Sequence, residues 1–487
     1  MTSVLPVSHH GARTSLPENG DRPRDHLTDP YAHRVHRYTP EAERLARVLA
    51  DDCLDRLASM APLNRPASPE RLEAAAGATV VPQGIGADEA LRLWTDVLGP
   101  ACLTIDHPRY LSFIPGAPSK AAAAFDMLVG TSNVYAGSWL EGSGAVYAEN
   151  QALRWIADLA GLPPTAGGVF AQGGTVANLS ALVAAREAAL ERRSSRRPSR
   201  WAVCVTEETH SSVKHALRVV MDVDIIEIPG DERGRMTGTA LRQTVSELSA
   251  STVDGIFAAV ATAGTTNAGV IDDIEGIADV AAEHGWWLHV DGAYGGAGLA
   301  APSIRHRFRG VERADSFIVD PHKWLFAPFD SCALLYRDPA LGRAANTLYA
   351  GYLDAVTAED DWNPSDFAIQ LTRRARGLPL WFSLAVHGTD AYRDAIEQTL
   401  EVTRAGAAMI RAADHVRLMV EPDLSVLLFE RIGWTADHYA DWSARLLAEQ
   451  VAFVTPTRHH NQPCTRFAVV NPLTTADDLA LIIDSMR

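Results

Sequence analysis

The sequence predicts an α/β protein built on a mostly parallel seven-stranded sheet, with a helical arm before the sheet and a smaller α/β region after it. Three observations carry that reading. Seven short apolar runs alternate with helical stretches such as TVANLSALVAAREAALERR and IEGIADVAAEHG: GVFA (168–171), WAVCVT (201–206), DIIEI (224–228), GIFAAVATA (255–263), WWLHVD (286–291), SFIVD (316–320) and CALLYR (332–337). A parallel neighbour needs a crossover long enough to hold a helix, so strand, helix, strand order points to parallel pairing. Before residue 104 the apolar periods are helical only, and from Gly377 a second, shorter set of runs (VRLMVEP, LSVLLFERI and CTRFAVVN) alternates with helices.

In chain order, residues 1–37 are rich in Pro, His, Arg and Asp without an apolar period, as expected of a disordered tail. TPEAERLARVLADDCLDRLA then places Leu45, Val48, Leu49 and Leu57 on a helical period, with Thr39 as cap and Pro40 at the first helical position. ADEALRLWTDVLG repeats the pattern and ends at Gly99. Residues 38–104 are thus expected to form a helical region that sits on the main body or on a second subunit, 105–376 the large domain and 377–487 a small C-terminal domain. RRSSRRPSR (192–200) reads as a solvated turn, because charge runs between periodic segments are usually hydrated. The segment NTLYAGYLDAVTAEDDWNPSDFA has no sheet pattern, and long loops of that kind are mobile or functional.

Composition limits the function classes. With 47% hydrophobic and 21% charged residues the 487-residue chain is globular, and its net charge of −16 opposes nonspecific binding to nucleic acid or an anionic membrane. Cys53, Cys102, Cys204, Cys332 and Cys464 are scattered without a CxxC spacing, which reads as reduced, structural thiols and gives no support to a metal site. No run approaches the roughly 18 apolar residues of a membrane span, and no apolar signal core opens the chain, so a cytoplasmic location is expected.

Four features carry chemistry. SFIVDPHKWLF puts Lys323 just past a strand, where open α/β sheets bind ligands. Thirty-two residues upstream, WWLHVDGAYGG ends another strand in Asp291 followed by small residues. A desolvated lysine can form an imine with an aldehyde, and a carboxylate at the sheet mouth can pair with a cationic ring nitrogen; pyridoxal phosphate needs both. VFAQGGTVANL is a strand, a Gly-Gly turn and a helix start, whose free N–H groups and Thr175 hydroxyl suit a phosphate. In TEETHSSVKHA, His210 lies just past a strand end, where an imidazole either caps a helix or stacks on a cofactor ring.

Together these residues resemble the group II pyridoxal phosphate decarboxylases, the family of aromatic amino acid, histidine and glutamate decarboxylases. HPRYLSFIP, SWLEGSGAVYAENQAL, FAQGGTVANL, THSSVKHA, ATAGTTNAG, LHVDGAYGG and ADSFIVDPHKWL stand in the family's order, from about His107 to the C-terminus. The aromatic-L-amino-acid decarboxylases are the members it looks most like. The resemblance implies the type I fold of pyridoxal phosphate enzymes, and decarboxylation of an L-amino acid, aromatic or related, to the amine through a lysine Schiff base and a quinonoid intermediate. It makes Lys323 the Schiff-base lysine, Asp291 the ring-nitrogen partner, Ala293 the small residue beneath the ring and His210 the imidazole above it. Gly174 and Thr175 match the phosphate turn, Asn178 and Thr265 line the cofactor, and His322 helps hold the phosphate. Asp320 stands where some members have Asn and brings a carboxylate near that phosphate.

Tyr352 looks like the family's loop tyrosine, which protonates the substrate carbon after carbon dioxide leaves; Tyr349 is the other candidate. Phe113, Ile114, Tyr135, Gly137 and Trp139 match positions bordering the substrate pocket, partly from a neighbouring subunit, and Gly137 replaces an aromatic found in some relatives. A homodimer with shared active sites is implied. Competing outcomes are an aldehyde synthase, a related carbon–carbon lyase, or a catalytically silent binding module.

Overall fold

The computed structural model describes residues 34–60, 62–114, 116–348 and 361–487. Most of the expected tail, and both Tyr349 and Tyr352, lie outside the described residues. The chain divides into two compact units, Met1–Met60 with Ala78–Arg92, and Ala61–Gly77 with Leu93–Arg487.

The main element of the first unit is the helix Pro40–Ala58. Thr39 accepts a hydrogen bond from the Ala42 N–H at 3.2 Å, Pro40 opens the helix, and Glu41 and Glu43 complement the positive end of its dipole. No residue of this helix is buried, and Leu49 and Leu54 on it are exposed.

The second unit holds two sheets. The strands of the larger are β1 (Gly167–Ala171), β2 (Ala202–Thr206), β3 (Asp224–Ile228), β4 (Ile256–Thr262), β5 (Trp287–Asp291), β6 (Ser316–Val319) and β7 (Cys332–Tyr336), in spatial order β1-β7-β6-β5-β4-β2-β3. β7 runs antiparallel to both its neighbours, and all other pairs are parallel. The register sets Thr262 beside Asp291 and His289 beside Ser316. The helix Gly174–Arg192 covers one face. Its buried side chains are mostly alanine (177, 181, 184, 185, 188 and 189), so its backbone can approach the strands closely. Trp139–Leu159, Ile274–His284 and Leu378–Ala412 pack on the other face, against Leu288 and Val290 of β5. Since both faces are covered, the strands read as continuous apolar runs.

The smaller sheet contains β8 (Val416–Val420), β9 (Val426–Arg431), β10 (Pro456–His459) and β11 (Gln462–Ala468), antiparallel throughout in the order β10-β11-β9-β8. Three of these strands match predicted runs. β10 (PTRH) is short and polar, and it is specified by its turn: His460 and Asn461 both have positive φ, which fits the two-residue hairpin turns that follow strand twist. Among the described residues no helix is long and apolar enough to cross a membrane.

Candidate active site

The carboxyl ends of β4, β5 and β6 and the turn after β1 open into a cavity of about 420 Å³. This is where an open α/β sheet leaves its strand ends unobstructed for a ligand. Gly174, Thr175, Asn178, His210, Asp291, Ala293, His322 and Lys323 all line it. Of the residues expected to bind cofactor, Thr265 alone does not.

Lys323 sits in a one-turn helix, Pro321–Trp324, that starts as β6 ends. Gly116, from HPRYLSFIPG, packs under this turn so closely that a Cβ there would lie 2.0 Å from the His322 carbonyl oxygen. That contact explains the glycine. The Lys323 Nζ is 3.0 Å from Asp320 Oδ2. Burial drives the lysine down, but Asp320 and then Asp291 outweigh it and hold the ammonium above the usual lysine range. The other Asp320 oxygen, Oδ1, is buried without a hydrogen-bond partner among the described residues. Cys332 lies beside this pair; burial and Asp320 push its thiol well up, so it stays protonated.

Asp291 is clamped from two sides. Its Oδ2 accepts from Asn178 Nδ2 at 3.0 Å and its Oδ1 from the Ala293 N–H at 3.0 Å. The Gly-Gly turn brings the helix Gly174–Arg192 to the same cavity. That helix has no side-chain cap and no acidic residue in its first turn, and the N–H groups of Gly174 and Thr175 have no partner among the described residues. An uncapped N-terminus facing a cavity is an anion site. An amine, a fixed carboxylate and an anion cradle around one cavity are the donor set that pyridoxal phosphate requires, so the residues present fit the cofactor.

The histidines divide their work. His210 caps the helix Ser211–His215: its Nδ1 accepts from the Ser212 N–H at 3.2 Å, which leaves the proton on Nε2 while the ring lines the cavity. Capping and stacking, alternatives in the sequence, are compatible. His322 is buried, its Nδ1 2.7 Å from the Ser331 carbonyl oxygen and its ring packed near Gly173; burial lowers its pKa.

Thr265 corrects the expectation. Its hydroxyl accepts from the Val270 N–H at 3.1 Å and closes its own loop. The threonines of this strand end that reach the cavity are Thr262 and Thr266, and the Thr262 hydroxyl is buried without a partner among the described residues. Thr262 ends β4 level with Asp291, so strand register, more than motif position, locates it. Sequence reasoning also passed over Glu208 and Phe329, which line the cavity. Burial raises Glu208.

Phe113, Ile114, Tyr135, Gly137 and Trp139 do not line this cavity. Phe113 is 57% exposed. The space at Gly137 is already filled: a Cβ there would meet the Tyr135 hydroxyl oxygen at 2.3 Å, and that hydroxyl donates to the Leu371 carbonyl.

Comparison with known proteins agrees with this geometry. The family model described as the pyridoxal-dependent decarboxylase conserved domain matches residues 85–432. An aromatic-L-amino-acid decarboxylase of Bacillus atrophaeus is 30% identical over 394 residues, 79% of this chain and 81% of that protein. An L-2,4-diaminobutyrate decarboxylase of Rhizobium meliloti is 32% identical over 396 residues, 79% and 78% of the two chains. The crystal structure of Oryza sativa TDC with PLP and tryptamine is similar with a TM-score of 0.84 and 25% identity, covering 92% of this chain and 99% of that one.

Proposed function

Because this chain belongs to the pyridoxal-dependent decarboxylase family, a premise that makes it a pyridoxal phosphate-dependent amino acid decarboxylase, we propose that its substrate is an aromatic L-amino acid and its product the corresponding amine. The observation that carries the chemistry is the meeting of Lys323, Asp291 and the uncapped helix N-terminus in one cavity. The similarity to an aromatic-L-amino-acid decarboxylase and the rings of His210, Tyr294 and Phe329 on the cavity wall support the aromatic side chain.

In this reading Lys323 would anchor the cofactor aldehyde, Asp291 would pair with the ring nitrogen, and Ala293 and His210 would flank the ring. Gly174, Thr175 and His322 would hold the phosphate, with Asn178 behind Asp291. When bound, the cofactor supplies an electron sink for the bond that breaks at the substrate's α-carbon. The protein selects which bond breaks by orientation. Asp291, fixed by two donated hydrogen bonds, would pair with the protonated ring nitrogen. Lys323, charged when its nitrogen is free, stores a proton beside Asp320. Tyr352, or Tyr349, would deliver a proton to the substrate's α-carbon.

Glu208 favours a second reading, a dibasic amino acid whose side-chain cation would pair with this carboxylate on the wall. Carbon dioxide release across the proteinogenic amino acids and 2,4-diaminobutyrate, with the organic product identified, decides among the readings. Turnover of tryptophan, tyrosine or phenylalanine to the amine is the expected result, preferential turnover of diaminobutyrate would move the assignment to Glu208, and aldehyde with oxygen uptake would make the protein an aldehyde synthase.

We further infer a cytoplasmic homodimer in which 38–104 is the dimerising region, 105–376 the cofactor domain and 377–487 a closing domain. Exposed Leu128, Leu140, Tyr147 and Val386 support a covered face, as does the uncovered helix Pro40–Ala58. Sedimentation equilibrium at one monomer mass would remove the dimer.

A further inference from the structure

Trp287, His289 and Asp291 alternate along β5 and so project from one face of the sheet, toward the helix Gly174–Arg192. His289, which no role above uses, is fully buried and stands between two hydrogen-bonding partners. Its Nε2 is 2.7 Å from Asn178 Oδ1 and its Nδ1 is 2.8 Å from Ser316 Oγ, which the parallel register places beside it. Ser316 Oγ also accepts from the Trp287 indole N–H at 2.7 Å.

The direction of every bond follows from one end. An ionised Asp291 only accepts, so Asn178 must turn its amide nitrogen toward it and its oxygen toward His289. His289 Nε2 must then carry the proton, and Nδ1 must accept from the Ser316 hydroxyl. The hydroxyl's free lone pair takes the indole N–H. Burial lowers His289, in keeping with a neutral ring. His289, Ser316 and Trp287 each use their single side-chain donor, and the string ends in an indole N–H that does not ionise. It therefore cannot pass a proton to Asp291, and what remains for it is to hold the carboxylate in one orientation and keep it ionised.

We propose that His289 is a positioning residue for this enzyme: acting through Asn178, it fixes Asp291 as an ionised acceptor and so strengthens the grip on the protonated ring nitrogen of the cofactor. The proposal rests on the reading of Asp291 as the ring-nitrogen partner. Groups of this kind, one step behind the residue that touches the ligand, tune affinity without touching it.

The test is equilibrium binding of pyridoxal phosphate, and of its 1-deaza analogue with a ring CH in place of the nitrogen, to wild type, His289→Leu and His289→Gln. His289→Leu is expected to weaken pyridoxal phosphate about tenfold, the low end for losing a group one step behind a ligand contact, while the deaza analogue changes less than about twofold. His289→Gln is expected to recover most of the loss, because its amide can still donate to Asn178. Equal losses for both ligands would reduce His289 to packing and overturn the proposal, as would a Gln variant no better than Leu. If the Leu variant does not fold, Ser316→Ala removes only the far partner and should give a smaller loss with the same selectivity; an unselective loss again overturns the proposal. A wild-type protein that binds both ligands equally would instead remove the reading of Asp291 beneath it.

Discussion

Two buried ion pairs are built to different specifications. Glu149 and Arg373 form a bidentate pair at 2.8 and 3.0 Å, and both are shut off from solvent. Both Glu149 oxygens are used, one of them also accepting from the Gly377 N–H at 2.8 Å, and Arg373 donates further to the carbonyls of Ala136 and Phe170. The Asp320–Lys323 pair has a single contact at 3.0 Å, and Asp320 Oδ1 is left without a partner among the described residues. The first pair, with its carboxylate fully used and only Arg373 Nε left without a partner among the described residues, ties the helix Trp139–Leu159 to the segment leading into the helix Leu378–Ala412. An unsaturated one keeps bonding capacity in reserve for a ligand.

Removing one member of each pair separates the two functions. Lys323→Ala should abolish turnover and the visible absorbance of bound cofactor, the largest effect expected anywhere in the molecule, and by leaving Asp320 buried and unpaired should also lower the urea midpoint of the cofactor-free protein. Glu149→Ala should lower the midpoint without removing the cofactor site. It strands a buried guanidinium and should cost about 3–5 kcal/mol in urea unfolding, with residual folded protein still binding cofactor. Loss of cofactor from folded Glu149→Ala, or an unaltered midpoint, would erase the distinction.

Asp320→Asn probes the unsaturated pair more gently and should cost about 1–2 kcal/mol at neutral pH, because the amide oxygen can still accept from the lysine. Its clearer signature is in pH. Lys323 is raised above its ordinary 10.5 in the folded cofactor-free protein, so the stabilisation is complete below that value and is lost as pH rises through the raised one. With one carboxylate gone, burial pulls the lysine down and the loss begins at lower pH. Amine labelling of Lys323 in the cofactor-free protein should accelerate at lower pH in the variant than in wild type, and unchanged profiles would mean that Asp320 does not govern the lysine.

All seven strands of the large sheet are legible in the chain because burial on both faces makes each an apolar run, and Lys323, Asp291 and His210 are legible because chemistry places them at strand ends. The features that were missed depend on register and partners. His289 reads as one more apolar-strand residue until β6 brings Ser316 alongside and the helix brings Asn178. Gly137 reads only as a replaced aromatic until Tyr135 folds over it. β10 carries no apolar pattern at all and exists through its hairpin turn.

The threonines repeat the contrast between saturated and open groups at the smallest scale. Thr265 has a satisfied hydroxyl, and replacing it with Val leaves the Val270 N–H buried without its acceptor, at a cost of about 1 kcal/mol. Cofactor affinity should stay constant, since the side chain does not face the cavity. Thr262 has a buried, unsatisfied hydroxyl at the cavity wall, and Thr262→Val keeps the shape while removing a group that has no partner to lose. Its stability should hold or rise slightly, and pyridoxal phosphate should bind a few-fold more weakly if the hydroxyl bonds to the cofactor. Urea unfolding and cofactor titration of the two variants side by side would show each moving a different quantity; if Thr265→Val weakens cofactor while Thr262→Val does not, the loop around Thr265 closes onto the cofactor and the assignment of the two residues is reversed.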